Sequence, residues 1–203
     1  MSRQRLPDWW LFLQKFLRQG TRVGSVTPSS PWFARRLLEG IDLKQARCVV
    51  ELGAGTGAVT RELLRRASAS CRCLIVERDA DFCVRLREHF PRAEIVEADA
   101  CDLDALLRSR GVERVDHVVS GLALPWFTPA ARHKVLDASR RCLTLSGSFR
   151  QLTYIPWVHA PMYRRYFERA DFRWVFWNVP PGGFYECCRP RPEGPRDEGP
   201  SFP

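Results

Sequence analysis

The stretch Val49-Val50-Glu51-Leu52-Gly53-Ala54-Gly55-Thr56-Gly57 gathers the residue types that hold a nucleoside. An apolar run ends and three glycines follow at alternate positions. Glycine lets the chain turn tightly and lets a ligand lie against bare backbone. A tight strand-to-helix turn needs glycine in any case, so the acidic residues around it carry the distinction. Glu77 closes the next apolar run, Leu74-Ile75-Val76-Glu77, 20 residues after Gly57. A carboxylate there accepts from both ribose hydroxyls of an adenosine. Asp99, in Glu97-Ala98-Asp99-Ala100, follows a third run. It either accepts from an adenine amino group or leads into the helix that starts near Leu103.

The spacing separates two cofactors. A dinucleotide turn reads G-x-G-x-x-G and sets a pyrophosphate on a helix N-terminus. Here the third glycine comes one residue early, and Glu51 precedes the turn. Its carboxylate would repel a pyrophosphate and suits the ammonium of S-adenosylmethionine, directly or through water.

These residues need a scaffold that delivers strand ends side by side. Strands are expected at Cys48–Leu52, Cys73–Glu77, Ala93–Glu97, Val115–Ser120 and Ser148–Tyr154. Helices are expected over 57–67, Asp79–Phe90, Leu103–Arg110, Pro129–Cys142 and Pro161–Arg169. Two late strands, Phe172–Asn178 and Phe184–Cys188, read as an antiparallel hairpin at one edge. Strand–helix alternation implies an α/β fold with a mostly parallel sheet covered on both faces. The boundaries read 1–44 for an N-terminal segment, 45–188 for the α/β domain and 189–203 for a tail. That tail holds five prolines and is expected to be disordered.

Composition narrows the class without choosing a partner. The 203 residues carry a net charge of +9, and of the 32 basic residues only Lys15, Lys44 and Lys134 are lysines. An arginine-dominated surface suits nucleic acid or anionic lipid equally, and a GC-rich coding sequence would produce the same excess. No apolar run approaches the roughly 20 residues that span a bilayer. The apolar run Trp9–Leu13 is too short for a signal peptide. None of the eight cysteines forms a CxxC pair or a zinc-spaced cluster with histidine, so a reduced, cytoplasmic, metal-free protein is expected.

In order and spacing, Glu51, Gly53, Gly55, Gly57, Glu77 and Asp99 resemble the cofactor motifs of the class I methyltransferases that use S-adenosylmethionine. The resemblance implies a three-layer Rossmann-like fold with seven strands, the last antiparallel. It places the cofactor against Glu51, Gly53, Ala54, Gly55, Gly57, Glu77, Arg78, Asp99, Ala100 and Ser120. Further stretches narrow it: Gly24-Ser25-Val26-Thr27-Pro28-Ser29-Ser30-Pro31, Ser120-Gly121-Leu122-Ala123-Leu124-Pro125, Gln151-Leu152-Thr153-Tyr154 and Asn178-Val179-Pro180-Pro181. Together they look like the bacterial phospholipid N-methyltransferases, which methylate phosphatidylethanolamine towards phosphatidylcholine. Related enzymes act on other aminolipids such as ornithine lipids. The family is similar to rRNA adenine dimethyltransferases, the alternative reading. Those enzymes carry an Asn/Asp-Pro-Pro-aromatic or Asn-Leu-Pro-Tyr turn after the fourth strand to grip a flipped base. Ser120-Gly121-Leu122-Ala123 offers neither the amide nor the adjacent aromatic, so no nucleic-acid partner is expected.

The N-terminal segment points to a membrane surface. On a helix at about 100° per residue, Trp9, Trp10, Phe12, Leu13, Phe16 and Leu17 share one face. Gln14, Lys15, Arg18 and Gln19 share the other, and Arg3, Arg5 and Arg22 flank the segment. An aromatic face with a basic back fits an amphipathic helix lying among anionic headgroups; packing on the sheet is the alternative. The expected location is therefore peripheral, on the inner face of the cytoplasmic membrane.

For the chemistry, Tyr154 and His159 are the catalytic candidates, Tyr154 through its oxygen or ring face and His159 through a suitable pKa. An amine near pKa 10.4 must lose a proton before attack, and desolvation helps. Gly121, Leu122, Trp126, Tyr154, Arg164 and Arg165 are candidates for the substrate, the two arginines as partners of a lipid phosphate. Thr27, Ser29 and Ser30 could cap the cofactor's amino-acid end; Ser30 before Pro31 also reads as a helix N-cap. Phe127 is a candidate for channel lining or for core.

Overall fold

The structure, a computed structural model, describes residues 31–153, 159–175 and 182–195. The expected membrane helix, Thr27, Ser29, Ser30, Tyr154 and Asn178 to Pro181 lie outside the described residues.

Seven strands form one sheet: β1 (Cys48–Leu52), β2 (Arg72–Glu77), β3 (Glu94–Glu97), β4 (Val115–Ser120), β5 (Leu143–Thr153), β6 (Phe167–Val175) and β7 (Gly182–Pro190). Among the described residues six helices accompany them: α1 (Pro31–Leu37), α2 (Ala58–Arg66), α3 (Ala80–His89), α4 (Leu103–Ser109), α5 (Pro129–Cys142) and α6 (Ala160–Arg164). The strand order is β3-β2-β1-β4-β5-β7-β6. β7 is antiparallel to both neighbours, and the other strands share one direction. This is the expected Rossmann-like α/β fold.

Both faces of the sheet are covered, which explains why all five residues of β1 are buried. Val50, Leu52, Leu74, Val118 and Phe149 pack with Leu103 of α4, Val135 and Leu136 of α5 and Tyr163 of α6. On the other face Val49, Ile75 and Val119 pack with Phe33 and Leu37 of α1, Val59 and Leu63 of α2 and Leu86 of α3. Three layers result. The carboxyl ends of the central strands fall level, with Leu52 opposite Val76 and Ser120, and Ser120 opposite Gln151.

Two expectations are corrected. The helix expected over Pro161–Arg169 ends at Arg164, and β6 begins at Phe167. Phe167 is fully buried and stacks on Phe149 with ring centroids 5.5 Å apart, so pairing with β7 overrides local helical spacing. The late pair is the expected antiparallel hairpin at one edge, with β7 lying between β5 and β6. The tail boundary at 189 also moves. β7 runs to Pro190, and Arg140 Nη1 donates to the carbonyls of Arg191 and Pro192 at 2.6 and 2.8 Å.

A buried ion pair ties α1 to the sheet. Arg150 on β5 pairs with Glu186 on β7, and its Nη1 donates to the carbonyls of Leu37 and Glu39, each at 2.6 Å. Among the described residues no helix is long and apolar enough to cross a membrane.

Candidate active site

At the end of β1 the chain turns over the sheet. Gly53 N donates to the Val76 carbonyl at 2.8 Å and Gly57 N to that of Ala54 at 2.9 Å. Gly53, Gly55 and Gly57 all adopt left-handed backbone, with φ of 74°, 52° and 80°, a region that side chains disfavour by about 1–2 kcal/mol. Their surroundings differ. A Cβ on Gly53 would lie 2.7 Å from Leu122 Cδ2, and one on Gly57 would lie 2.5 Å from Phe90 Cε2; one on Gly55 would meet nothing within 4 Å. Gly53 and Gly57 let the turn pack. Gly55 leaves open space over bare backbone, the feature a nucleoside needs.

Glu77 ends β2 beside that space. Its Oε2 accepts from Gly55 N at 2.9 Å, and its Oε1 accepts from Arg78 N at 2.8 Å and Asp79 N at 3.0 Å. Three backbone donors fix the carboxylate, and a carboxylate offers about four acceptor positions. Capacity remains for a ribose hydroxyl. Glu51 lies deeper, 2% exposed, and its Oε2 accepts from Thr60 Oγ1 at 2.8 Å. Burial pushes its carboxyl up to about 7, the Thr60 hydrogen bond opposes this, and the nearby Glu77 charge adds to the rise. A cation arriving at the turn would reverse that shift.

Asp99 takes the capping role. Its Oδ1 accepts from Cys101 N at 2.9 Å, at the start of a 3-10 turn, Ala100–Asp102. That hydrogen bond holds its carboxyl below the usual range, and the Arg78 charge helps. Asp99 Oδ2 lies 3.7 Å from Arg78 Nη1. Arg78 acts mainly through its backbone, since its side chain is exposed. Ala54 and Ala100 are buried, in the cores on opposite faces of the sheet.

The Ser120–Leu122 turn completes the cleft. Gly121 N donates to the Leu52 carbonyl at 2.9 Å, and a Cβ on Gly121 would lie 2.8 Å from Gly53 O. The two turns therefore touch, and Leu122 packs on Gly53. Ser120 is buried, and its Oγ accepts from Leu122 N at 3.3 Å. His159 precedes α6, with its Nε2 buried and without a hydrogen-bond partner. Burial, and then the Arg132 charge, lower its pKa and keep the ring neutral. Trp126 ends a second 3-10 turn, Leu124–Trp126, with its side chain partly exposed, whereas Phe127 packs against the core. Arg164 and Arg165 lie at the far end of α6 from His159, and neither forms a salt bridge with another described residue.

The structure thus brings Glu51, Gly53, Gly55, Glu77, Asp99, Ser120 and Gly121 to one end of the sheet. S-adenosylmethionine fits this set, because the space over Gly55 is open and Glu77 keeps acceptor capacity. Thr60, which holds Glu51, escaped the sequence reading; only a hydroxyl on the helix after the glycine turn hinted at it. A hollow against Gly55, lined by Arg61, Phe82, Arg85 and His89, was also missed, since its residues come from two helices. Among the described residues no group of three His, Cys, Asp or Glu side chains is placed to hold a metal ion.

A methyltransferase domain family model matches residues 49–147. The chain is 42% identical over 185 residues to an ornithine lipid N-methyltransferase from Singulisphaera acidiphila, covering 90% of this chain and 96% of that protein. It is 40% identical over 79 residues to a ribosomal RNA small subunit methyltransferase A from Acidobacterium capsulatum, covering 36% of this chain and only 27% of that one. The RNA-enzyme likeness is therefore confined to a fragment. In fold the chain matches 1,6-didemethyltoxoflavin-N1-methyltransferase from Burkholderia thailandensis, a structure with bound S-adenosylhomocysteine. That match has a TM-score of 0.64 at 15% identity and covers 94% of this chain and 92% of that one. The chain belongs to the bacterial lipid N-methyltransferase family, within the class I S-adenosylmethionine-dependent methyltransferases.

Proposed function

We propose that this methyltransferase transfers methyl groups to the primary amine of a membrane aminolipid. Ornithine lipid is the first candidate and phosphatidylethanolamine the second. The observation that carries the reading is the cleft over Gly55 and Glu77 in a chain that shares 42% identity with an ornithine lipid N-methyltransferase across nearly its full length.

When bound, S-adenosylmethionine supplies a methyl group on a sulfonium sulfur that leaves as a neutral thioether. The chain's own work is positioning and proton management. Glu77 would accept from a ribose hydroxyl, Asp99 would accept from the adenine amino group, and Glu51 would balance the cofactor's ammonium. Ser120 and Gly121 bring backbone close to the point of transfer. The substrate must arrive as a free amine, because an ammonium has no lone pair to attack the methyl carbon. A buried, neutral His159 is suited to take the departing proton.

Membrane docking belongs to the same proposal. The aromatic face of Trp9, Trp10, Phe12, Leu13, Phe16 and Leu17 would settle among anionic headgroups on the inner face of the cytoplasmic membrane. Arg164 and Arg165 would meet a phosphate or carboxylate of the lipid. Purified protein given S-adenosylmethionine and vesicles of either aminolipid, read by mass spectrometry of the lipids, tests the reading. Methylated ornithine lipid is expected. Product from phosphatidylethanolamine alone would reverse the substrate order, and no methylated lipid from either would refute the proposal.

A further inference from the structure

A second group of polar atoms lies beside the cofactor cleft with nothing to bind. Gln151 Oε1, the hydroxyls of Tyr163 and Tyr185, and His159 Nε2 are all buried and have no hydrogen-bond partner among the described residues. Gln151, Tyr163 and Tyr185 are each 0% exposed. An unsatisfied buried polar atom costs about 1–3 kcal/mol, so several in one place is an expensive arrangement to keep without a ligand.

They are one cluster. Gln151 and Tyr185 face each other across β5 and β7, and Gln151 lies opposite Ser120 on β4. Side chains at such register positions point to the same face of a sheet. The Tyr163 and Tyr185 ring centroids are 4.7 Å apart. The Tyr185 hydroxyl lies beside the backbone of His159 and Ala160 without completing a hydrogen bond to either. The group therefore stands at the carboxyl ends of β4 and β5, next to the turn that touches the cofactor loop.

Its chemistry is one-sided. Gln151 Nε2 donates to the carbonyls of Leu122 at 2.6 Å and Leu152 at 2.8 Å. Both amide hydrogens are spent, so the amide orientation is fixed and Oε1 is left as a pure acceptor. A neutral imidazole nitrogen and a phenol oxygen also accept. The cluster contains no carboxylate, so it does not favour the charged ammonium as an acidic site would. It matches a donor-rich, neutral group.

We infer that Gln151 Oε1 and the Tyr185 hydroxyl receive the two N–H groups of the lipid's free primary amine, with His159 left as the base, and that they make the enzyme selective for amines that still carry hydrogens. The inference rests on the aminolipid reading above. It has a consequence for product distribution. Each methyl added removes one N–H and strands one acceptor, so the first transfer is the most efficient and the last the least.

Tyr185→Phe is the cleanest test, because it removes only an unpaired hydroxyl. Wild type and variant are compared with vesicles of the unmethylated, monomethylated and dimethylated forms of one aminolipid. S-adenosylhomocysteine affinity and thermal midpoint are measured alongside. The expected variant keeps its cofactor affinity and melts no lower than wild type. Its kcat/KM falls about tenfold or more on the unmethylated lipid, the worth of a hydrogen bond to a charged or strongly polarised group, and changes little on the dimethylated one. An equal loss on all three lipids, or no loss on the unmethylated one, would overturn the inference while wild-type turnover keeps the aminolipid reading. Wild type that methylates none of the lipids would overturn both.

Discussion

Gly55→Ala separates cofactor binding from folding. The empty protein has room for the new methyl, since nothing lies within 4 Å of the Cβ position. The cost to folding is then the left-handed backbone at φ 52°, about 1–2 kcal/mol. For a chain of this size each kcal/mol lowers the melting midpoint by about 2–4 °C, so a modest drop is expected. The bound nucleoside fares differently. An atom in contact with the Gly55 Cα sits about 3.5–4.0 Å away, and a Cβ placed about 1.5 Å along that direction leaves about 2–2.5 Å. That is as close as the Gly57 Cβ would come to Phe90, at 2.5 Å. The ligand must shift by about 1 Å or more, out of reach of the Glu77 oxygens. Losing one or two such hydrogen bonds weakens affinity about tenfold to a few hundredfold. Calorimetric titration with S-adenosylhomocysteine, paired with a thermal melt, reads both quantities. Gly57→Ala is the contrast, because its methyl would strike Phe90 and Leu86 and should lower the melting point further. Unchanged affinity in Gly55→Ala, with the protein folded, would refute the assignment of the open space over Gly55 to the cofactor.

Other expectations follow from single residues. Burial raises Glu51 from 4.5 to about 7, so between those values the folded chain keeps a proton that the unfolded chain has released. Its contribution to stability therefore falls as pH rises through that window and is level above about 7. Cofactor affinity should run the opposite way, rising towards pH 7 as Glu51 ionises beside the ammonium, and Glu51→Gln should flatten the profile in calorimetry. Arg150→Ala should lower stability by about 3–5 kcal/mol in a denaturant titration, because it leaves Glu186 and two buried carbonyls short of a partner. Deleting residues 1–19 should reduce sedimentation with anionic vesicles while leaving cofactor affinity in place; unaltered sedimentation would remove the membrane role of the Trp9–Leu17 face.

How far the fold could be read depended on how local its causes are. β1, β4 and α5 have the expected ends, because each is an apolar or amphipathic run closed by a turn residue or proline. β5 begins five residues earlier than expected, at Leu143, directly from the end of α5. No turn residue separates helix from strand there, and only pairing with β4 marks the change. β6 begins before its expected start because the spacing up to Arg169 is locally helical, whereas Phe167 answers to Phe149 on β5 and to Pro190 at the open end of the hairpin. The site divides in the same way. The glycine turn and Glu77 were legible because strand end, glycine and carboxylate are close along the chain. That Gly53 and Gly57 serve packing while Gly55 leaves space depends on Leu122 and Phe90, which no local pattern reveals. Gln151 and Tyr185 looked like ordinary strand residues, and their unpaired atoms emerge only when β5, β7 and α6 come together.

Lipid extracts from a host that lacks methylated aminolipids, after expression of this chain or its Gly55→Ala variant, test the central claim most directly. N-methylated aminolipid in the wild-type extract, sharply reduced with the folded variant, is the predicted result. Unmodified lipids beside a cofactor-competent wild-type protein would contradict it.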